Sequence, residues 1–257
     1  MSQYDNQYSA SATRTRQSGV VDEGLRSYML GVYNYMALGV ALTGVVAFLV
    51  FSMLTTNDPS LAVAKMRNGV LLTQMGKTIY LGPIWLVFAF APLAFILLMS
   101  FARMSAASAQ MVFWAFAAVM GVSMSAIFIK FTGGSITQMF FVTAAAFAGL
   151  SLYGYTTKKD LSGWGSFLIM GVIGIIIAAI VNIFLQSGAL SFAISVIGVL
   201  VFAGLTAYDT QRIKDEYYQV AGNQEAMAQA SIFGALSLYL DFVNMFQFLL
   251  ALFGSRE

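Results

Sequence analysis

The chain contains no cysteine and no histidine. The first absence excludes disulfides, thiolate nucleophiles and cysteine metal sites. The second removes the usual pH switch, the usual zinc ligand and the usual triad base. Any pH response near neutrality must therefore come from a carboxylate in an unusual place. Charge is scarce too: 9% of the 257 residues are charged, against roughly a quarter in an ordinary soluble domain. The 13 basic and 11 acidic residues leave a net charge of +2, too balanced to indicate a nucleic-acid partner. What is abundant is apolar surface, at 59% of residues. A soluble core of this size cannot enclose that much, because too large a share of a small domain remains outside. A bilayer accommodates it.

Residues 1–24 are polar and rich in Ser, Gln, Tyr and Thr, and they read as a mobile cytoplasmic tail. They do not read as a cleaved signal, because the apolar run behind them is too long for one. Residues 25–257 form the membrane domain. Seven apolar stretches are expected to cross as helices: Tyr28–Leu54, Ile79–Phe101, Gln110–Ile129, Ile136–Tyr155, Trp164–Gln186, Ala189–Tyr208 and Ala230–Phe253. Each is near the ~20 residues that span ~30 Å of hydrocarbon. Barrel strands would be about half as long and alternating. The fold class is thus all-α, a polytopic seven-helix bundle. Small residues at helix-packing spacing, namely Ala145 with Gly149, Ser231 with Ala235, and Gly171 with Gly174, are expected at helix contacts. Pro83 and Pro92 are expected to open or kink the second span.

With the N-terminus in the cytoplasm, eight of the 13 Lys and Arg residues lie in inside segments and five outside. The bias favours N-inside, and seven crossings then put the C-terminus outside.

Enzyme signatures are missing. Gly76-Lys77-Thr78 ends like a phosphate-binding loop, but residue 71 is Leu where a glycine is required. No G-x-S-x-G elbow occurs, and no zinc-protease motif is available without histidine. The chain is not expected to be an enzyme or to hold a cofactor.

Of the 11 acidic residues, ten fall in loops, tails or span ends, and Asp241 does not. It lies eleven residues into the last span, about 16 Å along a helix at 1.5 Å per residue. A charged Asp at that depth costs at least ~2.5–3.5 kcal/mol, so it must be protonated, paired or wetted. Gly234, Ser237, Asp241 and Asn244 fall within one stripe of roughly 80° on that helix. This polar face should point into the bundle, either as a functional carboxylate or as a structural hydrogen-bond knot. Asp209 is the second candidate, on a sixth helix expected to continue through Thr210–Tyr218. Its ion-pair partners would be Arg212 at i+3 or Arg103 at the end of the second span. If the connecting loop covers residues 219–229, Asp209 and Asp241 lie at similar depth. If Asn223 caps the last helix, they are offset by about a turn or more. Two carboxylates close together in a dry place share one proton and titrate as a pair. The same oxygens suit Ca²⁺, so Asp209 and Asp241 are also the candidate ligands for that ion.

Three stretches carry a family resemblance: Leu81-Gly82-Pro83, Thr143–Leu161 (TAAAFAGLSLYGYTTKKDL) and Gly198–Lys214 (GVLVFAGLTAYDTQRIK). Leu240-Asp241-Phe242 in the last span is a fourth. On these residues the chain resembles the Bax inhibitor-1 family of transmembrane proteins in its bacterial form, from about Arg26 to the C-terminus. The resemblance implies a seven-helix bundle whose last helix is central, wrapped by the other six. It implies a pH-sensitive Ca²⁺ leak channel or carrier in a bacterial inner membrane. The sensor would be an aspartate pair, Asp209 and Asp241, and a basic residue of the second helix, here Arg103, would pair with Asp209. Some members carry an acid in the second helix; between Ile79 and Phe101 this chain has none. The alternative is a regulator without transport that binds another membrane protein, such as a membrane-bound AAA protease. Deleting residues 2–24 separates the two readings: loss of partner binding with flux intact favours regulation.

Overall fold

The computed structural model describes residues 3–66, 69–101 and 104–256, of which 3–22, 89–90, 93 and 96–101 are described by backbone alone. The chain runs through α1 (Gln3–Leu54), a small three-stranded sheet, and then α2 (Gln74–Tyr80), α3 (Ile84–Phe101), α4 (Ala106–Met124), α5 (Ile127–Lys130), α6 (Gly133–Thr156), α7 (Ser162–Leu185), α8 (Gly188–Val220) and α9 (Gln224–Phe253). The sheet has strands β1 (Thr55–Thr56), β2 (Ala64–Lys65) and β3 (Leu71–Leu72) in the antiparallel order β1-β3-β2. It folds the long loop after α1 back on itself.

Helix starts follow their capping residues. Thr73, Ser105, Thr132, Ser187 and Asn223 each take the N-cap position, and each side chain accepts a hydrogen bond from a backbone N–H of the first turn. A cap of this kind contributes about 1 kcal/mol. The reversal between α7 and α8 is made at Gln186, in the left-handed region at φ 49°. Its backbone N–H bonds the Asn182 carbonyl, so the turn closes with its groups satisfied, as a membrane edge requires.

Among the described residues six helices are long and apolar enough to cross a bilayer: Glu23–Leu54, Ala106–Lys130, Gly133–Thr156, Ser162–Leu185, Gly188–Val220 and Gln224–Phe253. The expected count of seven is corrected at the second stretch. Ile79–Phe101 is not one helix, because α2 ends at Tyr80 and α3 starts at Ile84. Pro83 lies just before α3, where its missing N–H costs nothing, and Pro92 is inside it. The third stretch is also divided, at Ser125, into α4 and α5. The polar tail expected over residues 1–24 falls almost wholly outside the described side chains.

The last helix is the centre of the bundle. In its apolar window 56% of residues are buried, against 33% or fewer in each other span. It packs against α1, α4, α6 and α8, while α3 packs mainly on α4 and α7 mainly on α8. Among the described residues these four helices make the main contacts with α9, where the resemblance implied wrapping by all six. Close contact at α6–α8 comes from Gly154, where a Cβ would collide with the Ala207 carbonyl. Gly171 meets Val201, and Ser231 and Ala235 are buried. Ala145, Gly149 and Gly174 are a correction: Ala145 and Gly149 are exposed, and both glycines face open space. Their spacing describes one helix face, and it does not say which face meets a neighbour.

Candidate functional site

The expected polar stripe of α9 faces α8. Going down the interface, a Cβ on Gly234 would stand 3.1 Å from Ile213, Ser237 accepts a 3.0 Å hydrogen bond from Arg212, and Asp241 meets Asp209. The residue numbers fall on one helix as they rise on the other, as antiparallel neighbours require. Asn223 does cap α9, yet the offset expected for that case does not occur. Depth counted from the turn assumes that both helices start level. The register is set instead by side-chain packing, with bare Gly234 admitting Ile213.

Asp209 and Asp241 are 8% and 3% exposed, so both belong to the buried interior. Each lies close enough to the other to act on it electrostatically. Two carboxylates have only acceptor atoms, so a hydrogen bond between them needs a proton on one. Asp241 Oδ2 is buried with no hydrogen-bond partner among the described residues. On its other side Asp209 forms a 2.9 Å ion pair with Arg212. This is the i+3 partner. Arg103, the other partner considered, lies outside the described residues. Asn244 turns its amide back to the Leu240 carbonyl at 2.8 Å, so it extends the polar stripe without joining the acid pair.

A polar vestibule of about 340 Å³ leads from the surface to Arg212, lined also by Tyr208, Gln211, Asp215 and Glu216. Gln211 holds its roof: the side chain accepts from Leu161 N at 2.7 Å and donates to the Lys159 carbonyl at 2.8 Å. This fixes the α6–α7 loop over the end of α8. In that loop Asp160 is held below the ordinary carboxylate range by hydrogen bonds from the Ser162 side chain and backbone.

On the far side of α9, Thr43 ties three helices together. Its hydroxyl donates to the Ala117 carbonyl at 2.9 Å and contacts the Tyr239 hydroxyl at 2.6 Å. The single Thr43 proton is used on Ala117, so Tyr239 is the donor in the second bond. A similar chain runs from Tyr33 to Ser151 at 2.6 Å, to Thr210 at 3.0 Å, and on to the Thr206 carbonyl at 2.7 Å. Sequence reasoning did not single out Thr43, Tyr239, Tyr33 or Ser151. The signal available for Thr43 was a hydroxyl in the middle of an apolar run. No helical pattern names its partner 196 residues away.

Among the described residues no group of three or more acidic side chains gathers as a metal site. The pair brings at most four oxygens, fewer than the six to eight that Ca²⁺ takes. One of those oxygens is already paired with Arg212.

Comparisons with known proteins agree with the membrane architecture. The family described as inhibitor of apoptosis-promoting Bax1 matches residues 25–257. A protein of Caulobacter vibrioides is 47% identical over 259 residues, covering 100% of both chains. One from Rickettsia prowazekii is 44% identical over 250 residues, 97% of this chain and 98% of its own. The Escherichia coli inner membrane protein YbhL is 42% identical over 235 residues, 91% of this chain and 94% of its own. With its helices, its central last span and a match over nearly all of its length, the chain belongs to the Bax inhibitor-1 family of integral membrane proteins.

Proposed function

We propose that the protein is a non-catalytic, pH-sensitive Ca²⁺ leak pathway of a bacterial inner membrane, with its N-terminus in the cytoplasm. The gate is the Asp209–Asp241 pair. The observation that carries this reading is a pair of buried acids on neighbouring helices, close enough that ionisation of one disfavours ionisation of the other. Structural hydrogen bonding alone gives no reason to place two acids together, since an amide would serve without the cost of burying charge.

The shared proton makes the pair a three-state element. With one proton, Asp209 remains ionised for Arg212 and bonded to Asp241, and α8 and α9 stay locked. A second proton releases Arg212 from its partner. Loss of the proton leaves two negative charges in a dry site, which repel each other and attract a divalent cation. Acidic Asp215 and Glu216 in the vestibule would draw such a cation toward the pair. Beyond the pair, α9 is sealed by buried Met245, Leu249 and Leu250, and on this reading the conformation is the closed one.

The test is Ca²⁺ flux into proteoliposomes measured across pH. Wild-type flux should change with pH, and the Asp209→Asn/Asp241→Asn double variant should show no such change. Equal pH profiles for the two proteins would remove the pair from the mechanism.

A further inference from the structure

A second cavity is independent of the acid pair. It is a crevice of about 700 Å³ between α1 and α6, floored by Phe242 of α9. The two helices stand apart here, each packed on α9, and the Tyr33–Ser151 bond is the described polar link across the gap. The walls are apolar or small: Met36, Ala37, Ala41, Ala144, Phe147 and Ala148. One end is different. Arg26 lies at that rim, exposed, and forms no ion pair or hydrogen bond with any described residue. Tyr155 is on the same rim, and its carbonyl accepts a 2.9 Å hydrogen bond from Lys214.

The dimensions fit one kind of occupant. From Arg26 to Ala41 is fifteen residues of α1, about 22 Å at 1.5 Å per residue. A single leaflet of hydrocarbon is about 15 Å deep, half of ~30 Å. The crevice therefore starts at the level of the headgroups and runs past the depth of one leaflet. Arg26 is in the first turn of a 32-residue span, about 48 Å long and longer than the ~30 Å core, so its guanidinium reaches the interface. Tyr33 and Tyr155 line the same end, where Tyr rings are favoured at a membrane boundary. Water in the apolar length would find few partners.

We infer that the α1–α6 crevice is a specific site for an anionic phospholipid, with one acyl chain lying against Phe242 and the phosphate on Arg26. The positive charge of Arg26 at the rim selects an anionic headgroup over a zwitterionic one. The chain completes the wall that α1 and α6 leave open beside α9.

The experiment is native mass spectrometry of the full-length protein, released from vesicles of phosphatidylglycerol and phosphatidylcholine in equal parts. Three substitutions probe the site. Ala148→Trp and Ala41→Trp fill it from opposite walls. Arg26→Gln removes the charge. Ile177→Trp, on the exposed face of α7, controls for general lipid contact. Wild type and Ile177→Trp should retain one phosphatidylglycerol. Retention should fall about tenfold in at least one folded Trp variant, and about fivefold in Arg26→Gln. Equal retention of the two lipids by wild type would overturn the site. So would undiminished phosphatidylglycerol in Arg26→Gln or in both filled variants. Folding is checked by a single monodisperse peak and a wild-type-like thermal transition.

Discussion

Arg212 follows Asp209 by one turn on α8, and its guanidinium reaches both the Asp209 carboxylate at 2.9 Å and the Ser237 hydroxyl at 3.0 Å. One exposed cation thus clasps the acid of one helix and the polar face of the next. The Arg212 side chain is 46% exposed and that of Asp209 is 12%. Solvent weakens the attraction from one side, while the acid is left poorly hydrated when the arginine goes. Arg212→Gln should therefore cost about 1–2 kcal/mol, between the values for exposed and buried pairs. Thermal unfolding in detergent measures it. On the proposed function the same variant should raise Ca²⁺ flux at neutral pH.

The pH dependence of the pair divides by residue. Wild-type flux should show two steps: gain of a second proton at the acid end and loss of the shared proton at the other. Asp241→Asn supplies an amide donor to Asp209 that needs no proton. The upper step should vanish while the acid step on Asp209 remains. A profile with both steps intact in Asp241→Asn would exclude this assignment.

Gly154 tests the packing beside the site. A Cβ there meets the Ala207 backbone, which has no rotamer to yield. Gly154→Ala should destabilise by about 1–3 kcal/mol through overpacking. Gly149→Ala, facing open space five residues away on the same helix, should be neutral or slightly stabilising. Parallel melting curves of the two variants decide the point.

Tyr239 and Thr43 are both buried, and each depends on the other's hydroxyl. Tyr239→Phe should cost about 1 kcal/mol. The Thr43→Val/Tyr239→Phe double variant should cost less than the sum of its parts, because one bond is counted in both singles. A double-mutant cycle on unfolding free energy measures the coupling.

The surface loops respond to acid with a fixed sign. Asp58 is held below the ordinary carboxylate range by hydrogen bonds from the Ser60 side chain and backbone. Asp160 is held there likewise by Ser162. A depressed carboxylate contributes order above its unfolded value, and that order is lost as pH falls through the folded one. Amide exchange at Ser60 and Ser162 should quicken only at acid pH below the usual aspartate range, well apart from any change in flux.

Asp241 could be found from the sequence because it is the one charge in the apolar stretch Ala230–Phe253, and a bilayer makes that conspicuous. The extension of α8 past Tyr208 was readable as well, from a stretch without Pro or Gly. The level of Asp209 against Asp241 was not. It depends on which Ile and Gly interlock across two helices, and neither helix alone carries that information. Ala145 and Gly149 failed for a related reason: small residues permit contact on whatever face they share, and here that face is empty. The break at Leu81-Gly82-Pro83 divided a stretch whose hydropathy reads as continuous, because hydropathy does not register a missing N–H.

The helix that fills the middle of this bundle is made after all the helices that surround it. Until Gln224–Phe253 emerges, α1, α4, α6 and α8 have nothing to close around, and the faces they later turn to α9 must rest on acyl chains or on one another. Thr43 waits almost 200 residues of synthesis for Tyr239. Assembly therefore ends with the insertion of a buried carboxyl into a nearly complete ring, and a chain halted short of residue 224 would be a shell without a keystone.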